Sequence, residues 1–325
     1  MKNVKKNLPW FFIVGTLLVN GVLARPLKGA EPAKNLPLVF DPQTKKYFIG
    51  GSSKFLLKPG EQSSLIDRIE VAIDNKDYAP YGQNIEFKEE GKHTLKFRAI
   101  NPVNNWSPVQ FVEVFVDLTP ATTEAKFLDD RSFKDENGTF VGVGSTVTLT
   151  SQDNLSGVAT IEYSWTGENS FNAYTKPLVV DKAGHQVVYY RSIDRVGNIE
   201  PTKRIEFVAD ATPPSSEVQL GGVAKPTVLH GKTYVSDAVS YTLVANDNFS
   251  KVKSTWVTVD GSKPQLYIKP LYFLQEGQHT LGYYSIDNVG NKEATKTLSF
   301  YTVSSPPRTL ATVLGKSVNT GGINY

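Results

Sequence analysis

The sequence predicts an all-β chain made of three tandem β-sandwich modules behind a signal peptide. Three observations lead there. A block of about fifteen residues recurs twice without gaps. Apolar residues inside each copy alternate with polar ones, the period of a half-buried strand. Aromatic residues make up 11% of the chain, with 15 Tyr and 17 Phe, which favours strands, and long amphipathic helical patterns are absent.

The N-terminus has the form of an export signal. Lys2, Lys5 and Lys6 make a basic start, Trp10 to Val19 is an apolar run, and Val22-Leu23-Ala24 reads as a cleavage site. The run is shorter than the roughly 20 residues a membrane-spanning helix needs, so residues 1–24 are expected to be a cleaved signal rather than an anchor. No later segment is apolar enough to span as a helix. The formal charge is +3, and residues 1–24 hold three lysines and no acid, so the remainder is neutral. A neutral body argues against a nucleic-acid partner. There is no Cys. That excludes disulfides, thiolate metal sites, Cys nucleophiles and a Cys-linked lipid anchor, and leaves each module to its own core.

The recurring block runs Gly91–Asn105, Gly184–Asn198 and Gly277–Asn291, its starts 93 residues apart both times. The correspondence extends upstream, where Tyr81, Tyr174 and Tyr267 each stand four residues before Ile85, Leu178 or Leu271. Downstream, Val112, Ile205 and Leu298 correspond, as do Val114, Phe207 and Phe300, and each unit closes at Pro120, Pro213 or Pro306. Near the unit starts, Phe48-Ile49, Phe140-Val141 and Tyr234-Val235 correspond with slightly altered spacing. The modules are therefore set at about 35–120, 121–213 and 214–307, with a tail over 308–325. A unit of this length with short strands and frequent turn signals suits a sandwich of about seven strands. The prolines at the joints should stiffen them.

Within the block, Leu95, Phe97 and Ala99 alternate with Lys96 and Arg98. Val188, Tyr190 and Ser192 alternate with Tyr189 and Arg191, and Leu281, Tyr283 and Ser285 with Gly282 and Tyr284. Phe97, Tyr190 and Tyr283 are expected as core anchors. Asp194–Asn198 and Asp287–Asn291 then read as tight loops, because Asp caps a turn and Gly and Asn tolerate positive φ. Final strands are expected over 202–209 and 295–302. The first module carries Asn101-Pro-Val-Asn-Asn105 instead, without the Asp and the Gly, so its loop is expected to differ.

The pattern Tyr-x-Ser-x-Asp-x-x-Gly-Asn-x-Glu-Pro, a strand, then Asp-x-Thr-Pro-Pro stands over 190–214. It resembles the immunoglobulin-like repeat of leptospiral outer-membrane surface proteins; related repeats are appended to secreted bacterial glycosidases. The resemblance covers the second and third modules well and the first loosely. It implies three tandem immunoglobulin-like β-sandwich modules in a non-enzymatic adhesin at the outer-membrane surface. The implied partners are host extracellular-matrix proteins, elastin first, with fibrinogen, fibronectin and laminin as further ligands, and no cofactor.

Candidate chemistry is sparse. His93 and His279 share a repeat position, His185 sits one residue earlier, and His230 stands alone in an expected loop. No catalytic partners recur beside them, so a structural or solvent-facing role is expected. Asp153-Asn154, Asp247-Asn248, Asp194, Asp287 and Asp210 could bring oxygens together near a calcium ion between modules. Calcium takes roughly 6–8 oxygen ligands and the first module lacks most of these acids, so turn-capping is the simpler account and no metal site is assigned. No unique carboxylate pair suits glycoside hydrolysis, and no phosphate-cradling loop precedes a helix. Gly221-Gly222 and Gly321-Gly322 read as linkers. Trp106, Trp165 and Trp256 occupy non-equivalent positions, either partly buried against a neighbour or exposed for stacking on a partner. The ligand-contacting residues stay unassigned. Two other functions fit the pattern: an array of carbohydrate-binding or spacer modules, and an integral outer-membrane β-barrel, which strand alternation and the terminal Tyr325 would suit but a 93-residue period would not.

Overall fold

The computed structural model describes residues 38–57, 65–222 and 225–306, together with the backbone of 311–313 and 316–318. The expected signal peptide, 1–24, and Gly321-Gly322 lie outside the described residues. Among the described residues every regular element is a strand.

The first repeat supplies β1 (Val39–Asp41), β2 (Lys46–Gly50), β3 (Arg68–Ile73), β4 (Ala79–Pro80), β5 (Gly91–Ile100) and β6 (Gln110–Asp117). The second supplies β7 (Thr122–Phe127), β8 (Ser132–Asp135), β9 (Gly138–Gly142), β10 (Thr146–Gln152), β11 (Val158–Ser164), β12 (Asn172–Ala173), β13 (Leu178–Val179), β14 (Gly184–Asp194) and β15 (Lys203–Asp210). The third supplies β16 (Ser215–Gly221), β17 (Thr227–Leu229), β18 (Lys232–Ser236), β19 (Ser240–Asn246), β20 (Val252–Val259), β21 (Gln265–Leu266), β22 (Leu271–Tyr272), β23 (Gly277–Asp287) and β24 (Lys296–Val303). In the tail, β25 (Ala311–Val313) pairs with β26 (Lys316–Val318).

One six-stranded order recurs: β1-β2-β6-β5-β3-β4, β8-β9-β15-β14-β11-β12 and β17-β18-β24-β23-β20-β21. In each, the early strand pairs in parallel with the last one, with Phe48 opposite Phe115, Phe140 opposite Val208, and Tyr234 opposite Tyr301. The second and third repeats add a three-stranded sheet, β13-β10-β7 and β16-β19-β22. The first repeat has a bridge between Phe55 and Ile85 at the matching place. Such paired sheets are the immunoglobulin-like sandwich. The strands sort into separate open sheets instead of closing one cylinder, as a barrel would require.

The chain divides into two compact units. One comprises Met1–Lys126, Val147–Leu178 and Val187–Glu206, the other Phe127–Thr146, Val179–Gln186 and Phe207–Tyr325, so the division passes through the middle repeat. In the first unit Ile49, Phe55, Ile85, Phe87, Leu95, Val114 and Val116 form a core. In the second, Val235, Val239, Tyr241, Leu243, Val257, Phe273, Leu281 and Phe300 do so. Leu95, Val188 and Leu281, at one repeat position, have no exposed surface; burying each contributes about 1.5–3 kcal/mol. Tyr190 is buried as expected of an anchor, and Phe97 and Tyr283 are half-buried against the cores of their repeats.

The upstream tyrosines fasten one sheet to the other. The backbone N–H groups of Leu57, Leu149 and Leu243 donate to the hydroxyl oxygens of Tyr81, Tyr174 and Tyr267. The need is visible in the third repeat. There β22 pairs with β19 only at Tyr241 and Ser240, so beyond that point the tyrosine hydroxyl stands in for a strand partner.

The first repeat's loop departs from expectation. The Asn101 N–H donates to the Asn105 carbonyl at 3.1 Å, as Asp194 does to Asn198 and Asp287 to Asn291. Asn101 Oδ1 accepts the N–H groups of Val103 and Asn105, as the carboxylates accept those of residues two and four further on. Asn104, at φ 60°, takes the left-handed place of Gly197 and Gly290 at 95° and 89°. Asn is the residue besides Gly that visits that region most readily. The turn recurs with a neutral amide in place of the carboxylate, while Pro102 lacks the N–H by which Arg195 and Asn288 bond the Gly157 and Lys251 carbonyls.

Two tyrosines give opposite expectations. Replacing Tyr267 by Phe leaves the Leu243 N–H without its acceptor and should lower stability by about 1–3 kcal/mol. The buried Tyr241 hydroxyl has no hydrogen-bond partner. Tyr241→Phe should therefore be neutral or stabilising, within about 1 kcal/mol. Urea denaturation of both variants checks this.

Candidate functional site: aspartate clusters and stacked aromatic faces

Six aspartates gather into two groups. Asp117 ends β6, Asp153 lies in the turn before β11, and Asp194 ends β14. One oxygen from each lies within 4.8 Å of the others. Asp210 at the end of β15, Asp247 before β20 and Asp287 at the end of β23 repeat the arrangement. Five of the six are acids expected from the sequence; the sixth, Asp117, is marked there only by its place 93 residues before Asp210.

Backbone N–H groups hold each carboxylate. Asp153 Oδ1 accepts from Leu155 and Gly157, and Asp247 Oδ1 from Phe249 and Lys251. Asp117 accepts from Thr119 and Ser156, and Asp210 from Thr212 and Ser250. The Asn198 side-chain amide donates both to Asp194 Oδ2, at 2.7 Å, and to the Asp117 carbonyl, at 3.0 Å. Asn291 does the same for Asp287 and the Asp210 carbonyl. These contacts tie the loop after the longest strand of one repeat to the end of the preceding repeat. Burial pushes the Asp194 and Asp287 carboxyls above the ordinary range, and the facing charges of Asp117 and Asp210 add to this.

The motif glutamate is a second fastening, and its letter in the motif gives no sign of that role. Glu200 is buried. It accepts the N–H of Thr123, the N–H and hydroxyl of Ser192, and an ion pair from Lys203 at 2.7 Å. Glu293 likewise takes Ser216, the Ser285 N–H and Lys296. Burial alone would raise both carboxyls, but these donors outweigh it and hold them below the usual range. Ser107 stands in this place in the first repeat, its hydroxyl accepting the Ala99 N–H.

The shared histidine position is structural. His93 and His279 are mostly buried. In the third repeat His279 Nδ1 lies 2.8 Å from Asp260 Oδ2 and Nε2 lies 2.8 Å from the Gln275 carbonyl. His93 makes the same pair of contacts with Asp74 and Glu89. A carbonyl only accepts, so for His279 both ring nitrogens donate when the ring is charged. Burial alone would depress the His279 pKa; the Gln275 carbonyl and the Asp260 carboxylate outweigh it and hold the imidazole above its ordinary 6.5. His185 faces no such pair, and His230 is exposed in a turn at φ 50°.

The outward face of each repeat carries a stack. Arg98 lies between Tyr78, at 4.0 Å, and Trp106, at 3.4 Å, while binding Glu70 across the strand pair. Arg191 at the matching position covers Phe171 and binds Glu162. In the third repeat Tyr284 takes that position, stacked at 12° on Trp256, with Lys292 over its ring at 3.7 Å. Trp106 is 53% exposed, Trp256 is half-buried and donates to Ser254 Oγ, and Trp165 is half-buried.

The sequence matches no family model and no curated protein. Among solved structures the chain is similar to the fibronectin(III)-like modules of CbhA from Clostridium thermocellum, at 11% identity, over 56% of this chain and 95% of that one, with a TM-score of 0.33. It is similar to a 1.5-MDa bacterial ice-binding adhesin at 12% identity, over 75% and 88%, with a TM-score of 0.34. It is also similar to the Bacteroides ovatus mixed-linkage glucan protein SGBP-B at 14% identity, over 88% and 70%, with a TM-score of 0.16. The strand order within the repeats, rather than these likenesses, defines the chain as tandem immunoglobulin- or fibronectin-III-like sandwiches.

The His279 pair sets a pH dependence. A raised folded pKa means its contribution is complete below pH 6.5 and is lost as pH rises through the folded value. Asp260 is held low by its partners, so its contribution is present above 3.8 and lost as pH falls through its folded value. The urea midpoint should therefore decline above pH 6.5, and Asp260→Asn should flatten that decline. An Asp260→Asn protein with an unchanged slope would remove this assignment.

Proposed function

We propose that the protein is an exported, non-enzymatic adhesin displayed at the outer-membrane surface. Its partners in this proposal are host extracellular-matrix proteins, elastin first, then fibrinogen, fibronectin and laminin. The supporting observation is the recurrent aromatic and cationic stack on the outward face of each repeat. Pre-ordered rings offer contact area at small entropic cost, and an extended, partly apolar matrix chain can lie across several of them. Weak contacts on tandem modules then add by avidity. The motif over 190–214, with its resemblance to surface-protein repeats, supports the same reading.

A second reading is a glycan-binding array, favoured by the exposed ring of Trp106, which suits the face of a sugar. One assay separates the two. The full chain is expected to bind immobilised elastin saturably in the micromolar range. The combined Trp106→Ala, Phe171→Ala and Trp256→Ala variant, with an unchanged circular dichroism spectrum, should bind about tenfold more weakly or less. Failure of the folded parent to bind any of the four matrix proteins ends the adhesin proposal, and binding to a glycan array alone transfers the function to the second reading.

A further inference from the structure

We propose that each aspartate cluster is a calcium site at the joint of two consecutive repeats, one built by Asp117, Asp153 and Asp194 and the other by Asp210, Asp247 and Asp287. Three carboxylate oxygens converge within 4.8 Å in each. Asp117, Asp194, Asp210 and Asp287 are at most 1% exposed. None of the six is ion-paired among the described residues, whose ion pairs all lie elsewhere. Buried like charges at this separation repel strongly unless a cation or a proton lies among them.

In the second cluster a separate observation points to the cation. Asp247 Oδ1 is fully occupied by two backbone N–H groups, while Asp247 Oδ2 is shut away from water and has no hydrogen-bond partner at all. An unsatisfied buried carboxylate oxygen is costly, and a coordinated ion satisfies it. Turn-capping accounts for Oδ1 and leaves Oδ2 unexplained.

The donor chemistry selects the ion. Only oxygen converges, with no imidazole or thiolate, which suits a hard divalent cation. Several carboxylates offered directly by the protein favour calcium over magnesium, which keeps its waters and demands near-octahedral geometry. Backbone N–H groups fix one oxygen of each turn aspartate and so present the other in a set direction. The acids also travel together along the chain. Val303 stands in the third repeat where Asp117 and Asp210 stand in the others, and Asn101 stands in the first where Asp194 and Asp287 stand later. The acid at the end of a repeat occurs where the next repeat supplies its two companions.

The test uses the purified full chain stripped with EDTA and titrated with calcium chloride by calorimetry, with melting followed in parallel. Two ions per chain and a higher melting temperature are expected. Asp247→Asn, which keeps the Oδ1 acceptor, should lose one ion and Asp153→Asn the other, each with a smaller calcium-dependent rise in melting. No heat and no melting shift in the folded parent would overturn the proposal. So would an equal response to magnesium, or unchanged stoichiometry in both variants, which would place the ions elsewhere on the surface.

Discussion

In every repeat the longest strand ends at a side-chain oxygen that accepts two backbone N–H groups, and much of the remaining architecture hangs on that turn. With Asp194 or Asp287 as acceptor the chain folds back within five residues and delivers Asn198 or Asn291 to the end of the preceding repeat. The same turn returns the chain so that Glu200 or Glu293 reaches Ser192 or Ser285, where it also gathers the first strand of its repeat. One short loop thus orders its own sandwich and fixes the neighbour's end. Asn101 shows that the turn needs only the oxygen: a neutral amide forms it equally well. The negative charge at 194 and 287 is therefore surplus to folding the loop. In a buried place, surplus charge calls for its own physical reason.

Much of the scaffold was legible in the sequence, because a duplicated unit writes its pattern more than once. The 93-residue period, the alternation and the turn residues led to strands at 203–210 and 296–303, one residue from expectation. What stayed hidden were pairings across long sequence gaps. The parallel contact of β2 with β6 joins residues more than sixty apart and leaves no local periodicity. Asp117 was overlooked for the same reason: its companions come from the next repeat. The motif glutamate was visible as a letter, but its donors come from three strands that only the fold brings together.

The histidine pair shows how a hidden contact could have been found. His93 and Asp74 are 19 residues apart, as are His279 and Asp260. In the middle repeat both change together, to Gln186 and Gly167. Asp74 and Asp260 share a left-handed φ of 55° and 51°, whereas Gly167 stands at 121°, so the turn changes along with the pair. Glycine adopts positive φ freely, whereas aspartate does so at some cost, offset here by bonds to the next strand's N–H and to the imidazole. Joint loss of both partners within one chain is the mark of a pair that acts together.

The outward positions obey a looser rule. Residues 98, 191 and 284 occupy one register position, yet two are arginines salt-bridged across the strand to glutamate and the third is a tyrosine opposite a tryptophan. Both arrangements cover the strand with flat groups stacked on a neighbour, by cation–π contact in one case and ring on ring in the other. The inward positions at 95, 188 and 281 vary only between Leu and Val, because the space between two sheets sets their size. Free variation outside and tight restriction inside separate the two tasks on one strand. The inner face holds the module together, and the outer face is left to differ between modules, so three copies of one fold can present three different surfaces to a partner.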